Sequence, residues 1–194
     1  MKSTPIVVGL IALLAVAASA QDPNSKHFAK DGLSFDYASG WTIVDESTSD
    51  AQQLTLRRDD SDALIKFFVH RGKVNSPEKL AQAKSKLIDP YIEYTSKQFV
   101  QMGAKPERAA ASTQIGGAAA EGVRITAVLD EPGEAGIYWT TLNDRLVVLT
   151  LFGPNSALKK AMPAWDGIRA SLKIEPPPPP KGASPKPSPS PGKP

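Results

Sequence analysis

Residues 33–37, Leu-Ser-Phe-Asp-Tyr, alternate apolar and polar side chains, the two-residue period of a half-buried strand. Ser39-Gly40 makes a turn, and Trp41-Thr-Ile-Val44 begins a second strand. Residues 53–57 and 63–71 follow, joined by the acidic turn Asp59-Asp60-Ser61-Asp62, so this part of the chain reads as a meander of about four strands. Within 63–71, Ile65, Phe67 and Val69 point one way while Leu64 and Phe68 point the other. Large apolar groups on both faces predict a central strand with cover on both sides, and residues 146–152 carry the same signature.

The period lengthens over residues 76–102. Ser76 can cap a helix and Pro77 suits its first position, after which Leu80, Ala83, Leu87, Tyr91 and Tyr94 recur at helical spacing up to Gly103. Pro90 removes a backbone donor and disfavours helical geometry at the residue before it, so a kink or two short helices is expected, with Asp89 capping the second. Residues 118–129, 135–142 and 146–152 return to strand patterning. The links at Asp130-Glu-Pro-Gly133 and Asn143-Asp144 are so short that these strands must pair antiparallel. Leu158, Ala161, Met162, Trp165, Ile168 and Leu172 form one face of a closing helix, interrupted or restarted at Pro163.

The ends differ in kind from this middle. Lys2, the apolar run 6–17 and Ala18-Ser19-Ala20 have the order of an export leader, with cleavage after Ala20 and a mature start at Gln21. Twelve apolar residues fall short of the ~20 that span a bilayer as a helix, so no stable membrane anchor is expected after cleavage. Without a cysteine at the end of the run, a lipid-attached form is not expected either. The expected division is a leader over 1–20, a short linker over 21–27, one domain over 28–175 and a tail over 176–194. The tail opens with five prolines and alternates Lys-Pro and Ser-Pro steps, a composition for extended polyproline II or disorder. It resembles the stiff Pro-Lys spacers of periplasm-spanning proteins. No side chain in it can build a core, and the domain is expected to fold without it.

A sequence pI near 9.0 suggests a nucleic-acid or anionic-membrane partner until its distribution is followed. Four of the 23 lysines and arginines, Lys2, Lys181, Lys186 and Lys193, lie in the leader and tail, which leaves 19 in the domain and linker against all 20 acidic residues. The domain is close to neutral and carries no basic face interleaved with aromatics, so no nucleic-acid partner is expected. The chain also contains no cysteine, which removes disulfides, thiolate metal sites and cysteine nucleophiles together.

Four stretches carry a resemblance to a known family: Gly32-Leu-Ser-Phe-Asp-Tyr with Ser39-Gly40-Trp41; Ile115-Gly-Gly-Ala-Ala-Ala-Glu-Gly122; the strand 146–152; and Pro163-Ala-Trp-Asp-Gly-Ile-Arg-Ala-Ser-Leu172. Together they resemble the PsbP/Mog-type superfamily, which includes DcrB-like exported bacterial proteins, over nearly the whole of 28–175. The resemblance implies an α+β fold, an antiparallel sheet of about six to seven strands with helices packed on both faces, and a binding or assembly role without shared catalytic residues. The metal and photosystem contacts of PsbP itself have no recognisable motif in this chain.

Candidate chemistry is sparse. His27 and His70 belong to no pair at ligand spacing, and His70 reads most simply as a rim residue of the sheet. Asp59, Asp60 and Asp62 offer carboxylates to calcium but lack the glycine and distal glutamate of the twelve-residue calcium loop, so a solvated turn is expected. Trp41, Trp139 and Trp165 fall at positions that core burial explains. No nucleophile elbow or phosphate-cradling loop is present, and no cofactor is implied. The expected function is an exported, non-enzymatic binding or assembly module of the cell envelope, docking on an envelope protein or cell-wall component. The alternative is a small-ligand or lipid carrier with its pocket between the long helical segment and the sheet.

Overall fold

The computed structural model describes residues 25–175. The expected leader, its cleavage site at Ala18, Ala20 and Gln21, and the segment 176–194 lie outside the described residues.

Among the described residues ten strands form two sheets. The larger has seven, ordered β3 (Thr42–Asp45), β4 (Ala51–Arg58), β5 (Ser61–Lys73), β9 (Arg145–Pro154), β8 (Pro132–Leu142), β7 (Ala118–Val128) and β6 (Glu107–Ile115), every neighbouring pair antiparallel. The smaller has three, β1 (Ser25–Lys30), β2 (Leu33–Ala38) and β10 (Lys173–Ile174), with β2 central. Three hairpins close on two-residue turns in which both residues have positive φ: Asp31-Gly32, Gly116-Gly117 and Asn143-Asp144. That is the turn whose twist matches the strands it joins.

The seven-stranded sheet is apolar on both faces, as β5 and β9 foretold. On one face Ile65, Phe67, Val147, Leu149 and Leu151 meet α3 (Asn155–Ser171) and the small sheet, with Phe35 of β2 stacked on Phe67 at 4.4 Å. On the other, Ile137, Trp139 and Val148 meet Ile88, Ile92 and Phe99 of a helical layer made of α1 (Pro77–Ala83), one π-helical turn (Lys84–Ile88) and α2 (Asp89–Gln101). No helix among the described residues is long and apolar enough to cross a membrane.

Five details differ from expectation. Residues 33–37 do not open the meander: β2 pairs with β1 and β10, because Leu33 and Phe35 are buried under α3 and not at the edge of the large sheet. Strand β1 begins at Ser25, inside the expected linker, and β6 carries no strand signature because it is an alanine-rich edge with most side chains exposed. Ser76 caps α1 and Pro77 sits in its first turn, but Asp89 is no cap. Its backbone is helical (φ −60°, ψ −44°) and its N–H donates to the Lys84 carbonyl, so the π turn absorbs the irregularity before Pro90, where a missing donor is tolerated. Finally, α3 runs unbroken through Pro163; both Pro163 and Lys159, whose carbonyl loses its donor, face solvent.

The two sheets are joined by polar bonds as well as by the core. Lys30 of β1 donates to Asp45 of β3 at 2.6 Å, and the Ser47 N–H reaches the other Asp45 oxygen at 3.0 Å. These bonds hold the Asp45 carboxyl at about 2 instead of 3.8. Because the folded value is the lower one, the stability this contact supplies is complete above about pH 4 and is lost as pH falls toward 2. Asp45→Asn is therefore expected to flatten the acid limb of the stability curve between those values. An unchanged acid limb in urea titrations at pH 2 to 5 would remove Asp45 from the junction.

Candidate functional site

The helical layer covers only part of its sheet face. Over β5, β9, β8 and β7 the face is apolar and covered. Toward β3 and β4 the outward positions become Glu46, Gln53 and Thr55, with Lys66 beside Thr55 on β5, and the cover ends at the π turn. A groove of about 290 Å³ lies along this boundary. Its inner wall is Leu87 and Ile88 of the π turn, Tyr91 of α2, Phe68 of β5, and Val148 and Thr150 of β9; its mouth is Glu46, Gln53, Thr55 and Lys66.

The two ends of the groove differ chemically. At the inner end burial pushes the Tyr91 hydroxyl above its ordinary value, opposed by hydrogen bonding with Thr150 and Thr95, so Tyr91 is a neutral phenol at physiological pH. Thr150, only 3% exposed, is the one polar residue in the apolar run 146–152 of β9. At the mouth the side chains of Glu46, Gln53, Thr55 and Lys66 have no hydrogen-bond or ion-pair partner among the described residues. Many polar side chains elsewhere are engaged: Arg58 with Asp60, Arg71 with Asp31, Arg108 with Glu93 and Arg169 with Asp166. The π turn belongs to this construction, since it carries Leu87 and Ile88 over the sheet edge just before Pro90 restarts α-helical geometry.

The residues singled out from sequence fall elsewhere. His27 lies on β1 with Nδ1 2.6 Å from Asp36, and His70 accepts the Gly72 N–H at 2.8 Å near the end of β5. Asp59 and Asp60 form the β4–β5 turn, where Arg58 grips Asp60 through two bonds of 2.8 and 2.7 Å; no group of three metal-ligating side chains occurs among the described residues. Trp41 and Trp165 are buried on the α3 side and Trp139 on the other, so none lines the groove. The groove side chains themselves went unrecognised, apart from its general place between helical segment and sheet. Two signals were present in the chain: Thr150 inside a strand apolar on both faces, and a proline, Pro90, in the middle of a long helical pattern.

No protein-family model and no curated protein matches the chain. Among solved structures, a crystal structure from Bacteroides thetaiotaomicron matches with a TM-score of 0.50 at 13% identity over 78% of this chain, which spans about half (49%) of that one. The solution structure of cyanobacterial PsbP from Synechocystis matches with a TM-score of 0.49 at 12% identity, covering 84% of this chain and 99% of that one. A Pseudomonas aeruginosa protein of unknown function matches with a TM-score of 0.35 at 13% identity, over 79% and 99% of the two chains. The α+β architecture expected from the sequence, a large antiparallel sheet with helices on both faces, is present, and the likeness to the Bacteroides structure is one of fold alone.

Proposed function

We propose that this protein is an exported binding module of the cell envelope that acts by recognition and not by catalysis, with the groove beside the π turn as its site for a small amphipathic ligand. The observation that carries this reading is the division of the groove into an apolar inner wall and a mouth of four unpartnered polar side chains. Ligand sites are built this way, with apolar walls to hold the body and a few polar groups to orient it. At about 290 Å³ the groove is near the lower end of the usual ~300–1,000 Å³, which suits a short apolar body better than a long acyl chain. Glu46 and Lys66 favour a head that is zwitterionic or neutral and able both to donate and to accept. The titratable groups of the lining are Glu46, Lys66 and the neutral Tyr91, a set suited to binding and orientation.

Export rests on the leader-like residues 1–20. The docking reading is favoured by a different observation, the exposed apolar side chains Met102, Val128 and Leu129 near the β7–β8 turn.

The test is calorimetric titration of the full chain with octanol, octylamine and octanoate, which share a body and differ in head. Saturable binding with a negative heat-capacity change is expected for at least one of them. Thr55→Trp, which fills the mouth with a good strand former, should weaken it by about tenfold, or ~1.4 kcal/mol. No saturable binding by any of the three, or equal affinity in Thr55→Trp, would end the ligand reading.

A further inference from the structure

A second groove, of about 300 Å³, lies across the domain from the β8–β9 turn. Phe99 of α2, Met102 just past its end, Leu129 of the β7–β8 turn and Phe152 of β9 give it an apolar floor. Its charged residues are all acidic: Asp62, Asp130 and Glu131, with no lysine or arginine in the lining. Glu131 accepts a bond from the Ser156 hydroxyl at 3.2 Å, while the side chains of Asp62 and Asp130 have no partner among the described residues. Met102 is 49% exposed and Leu129 41%, and Val128 beside them is exposed as well. An apolar strip rimmed by one sign of charge marks an interaction surface, and the rim states the charge of its occupant.

We propose that this groove is the docking site of the chain's own proline- and lysine-rich segment, residues 176–194. The chemistry of the two is complementary. The segment holds Lys181, Lys186 and Lys193, no acidic residue, and a proline at every second position from 185 to 191. Extended proline-rich chains present their rings to aromatic-lined grooves at little entropic cost, and lysines between the prolines meet acidic rims. The reach also fits. The segment begins after Glu175, whose N–H donates to the Gly32 carbonyl at 2.7 Å, and the adjoining Ile174 carbonyl accepts from the Asn143 side chain in the β8–β9 turn. The groove is at the opposite end of that hairpin, about 33 Å along the ten residues of β9. Extended at ~3.1 Å per residue, the chain could carry Lys186 about 34 Å from Glu175 and its last residue about 59 Å, enough to arrive with slack for a path around the domain. Exposed charge pairs are weak and screened by salt, so the docking depends on tethering and on the apolar floor as much as on the lysines.

Zero-length carbodiimide cross-linking of the full chain, read by mass spectrometry, joins only lysines and carboxylates already in contact. Lys186 and Lys193, which have the reach that Lys181 lacks, are expected to link chiefly to Asp62, Asp130 and Glu131, with yields falling about fivefold or more in ~0.5 M salt. Leu129→Ser alters the apolar floor while leaving every carboxylate in place, and it should lower the same links by at least about threefold. A mixed sample of light and heavy protein separates links within one copy from links between copies, and either places the segment in the groove. Tail lysines linked evenly to carboxylates all over the domain, groove carboxylates linked only to lysines of the folded domain, or a Leu129→Ser pattern like the wild type would overturn the proposal.

Discussion

Replacing Arg145 with methionine is expected to destabilise the domain by about 3 to 5 kcal/mol, one of the two largest effects of any single substitution considered for this protein. Arg145 opens β9, and its side chain, in a residue 9% exposed, enters the junction between the two sheets. Nε donates to the His70 carbonyl at 3.2 Å, one terminal nitrogen to the Asp31 carbonyl at 3.1 Å, and the other to Gln52 Oε1 at 2.6 Å. Gln52, itself fully buried, passes the connection on to the Lys30 carbonyl at 2.7 Å. One guanidinium therefore satisfies acceptors on β4, on β5 and in the β1–β2 turn. Burial and the nearby Arg71 push its pKa down while Asp31 opposes them, yet an arginine stays charged in a protein, so the bonds are charge-assisted. Methionine fills similar space and leaves two carbonyls and an amide oxygen unpaired, each costing about 1 to 3 kcal/mol. In a domain of this size the melting temperature should fall by ~10 °C or more. Arg145→Lys, with one ammonium for three acceptors, should fall between. A methionine variant within about 1 kcal/mol of wild type would mean that water satisfies the junction.

Trp165→Ala is expected to cost as much by a different mechanism. Trp165 is 4% exposed and lies on the face of α3 formed by Leu158, Ala161 and Ile168, against a sheet that makes room for it. That room depends on Gly122. It pairs with Tyr138 across β7 and β8, and a Cβ at this position would collide with the Tyr138 ring. With no side chain there, Tyr138 lies close to the sheet and meets the indole at 5.9 Å and 45°. The Arg169 guanidinium stands over the indole, 5.5 Å from its centroid. Truncation to alanine removes the ring and leaves a cavity between two rigid layers, for about 3 to 5 kcal/mol. If Trp165→Ala unfolds at the wild-type midpoint while ligand binding is lost, the closing helix belongs to a binding site and not to the core.

What could be read from the chain follows from which elements face water on one side. The double-faced apolar runs of β5 and β9 announced their central place, and the helical period of 158–172 announced α3, because burial leaves a periodic trace. Strand β6 left none: as an edge its stability comes from backbone pairing with β7, and backbone hydrogen bonds have no side-chain signature. The separation of β1, β2 and β10 was equally hidden, since period says which residues are buried but not which of two sheets buries them. Pro90 and Pro163 were both read as breaks. One is accommodated by a π turn and the other by solvent at the Lys159 carbonyl, and these are tertiary circumstances that override local propensity. The candidate groove was hardest to see because its mouth consists of ordinary strand-surface residues. Glu46, Gln53, Thr55 and Lys66 acquire meaning only where the helical layer stops beside them.

The measurement that tests the recognition site most directly is chemical-shift mapping of the isotopically labelled full chain during titration with whichever octyl compound binds best. The amides of Phe68, Leu87, Ile88, Tyr91 and Thr150 should move together along one saturating isotherm, whose midpoint Thr55→Trp raises about tenfold. Shifts that gather at Met102 and Leu129, or that scatter over both sheets without saturating, would contradict a ligand site beside the π turn.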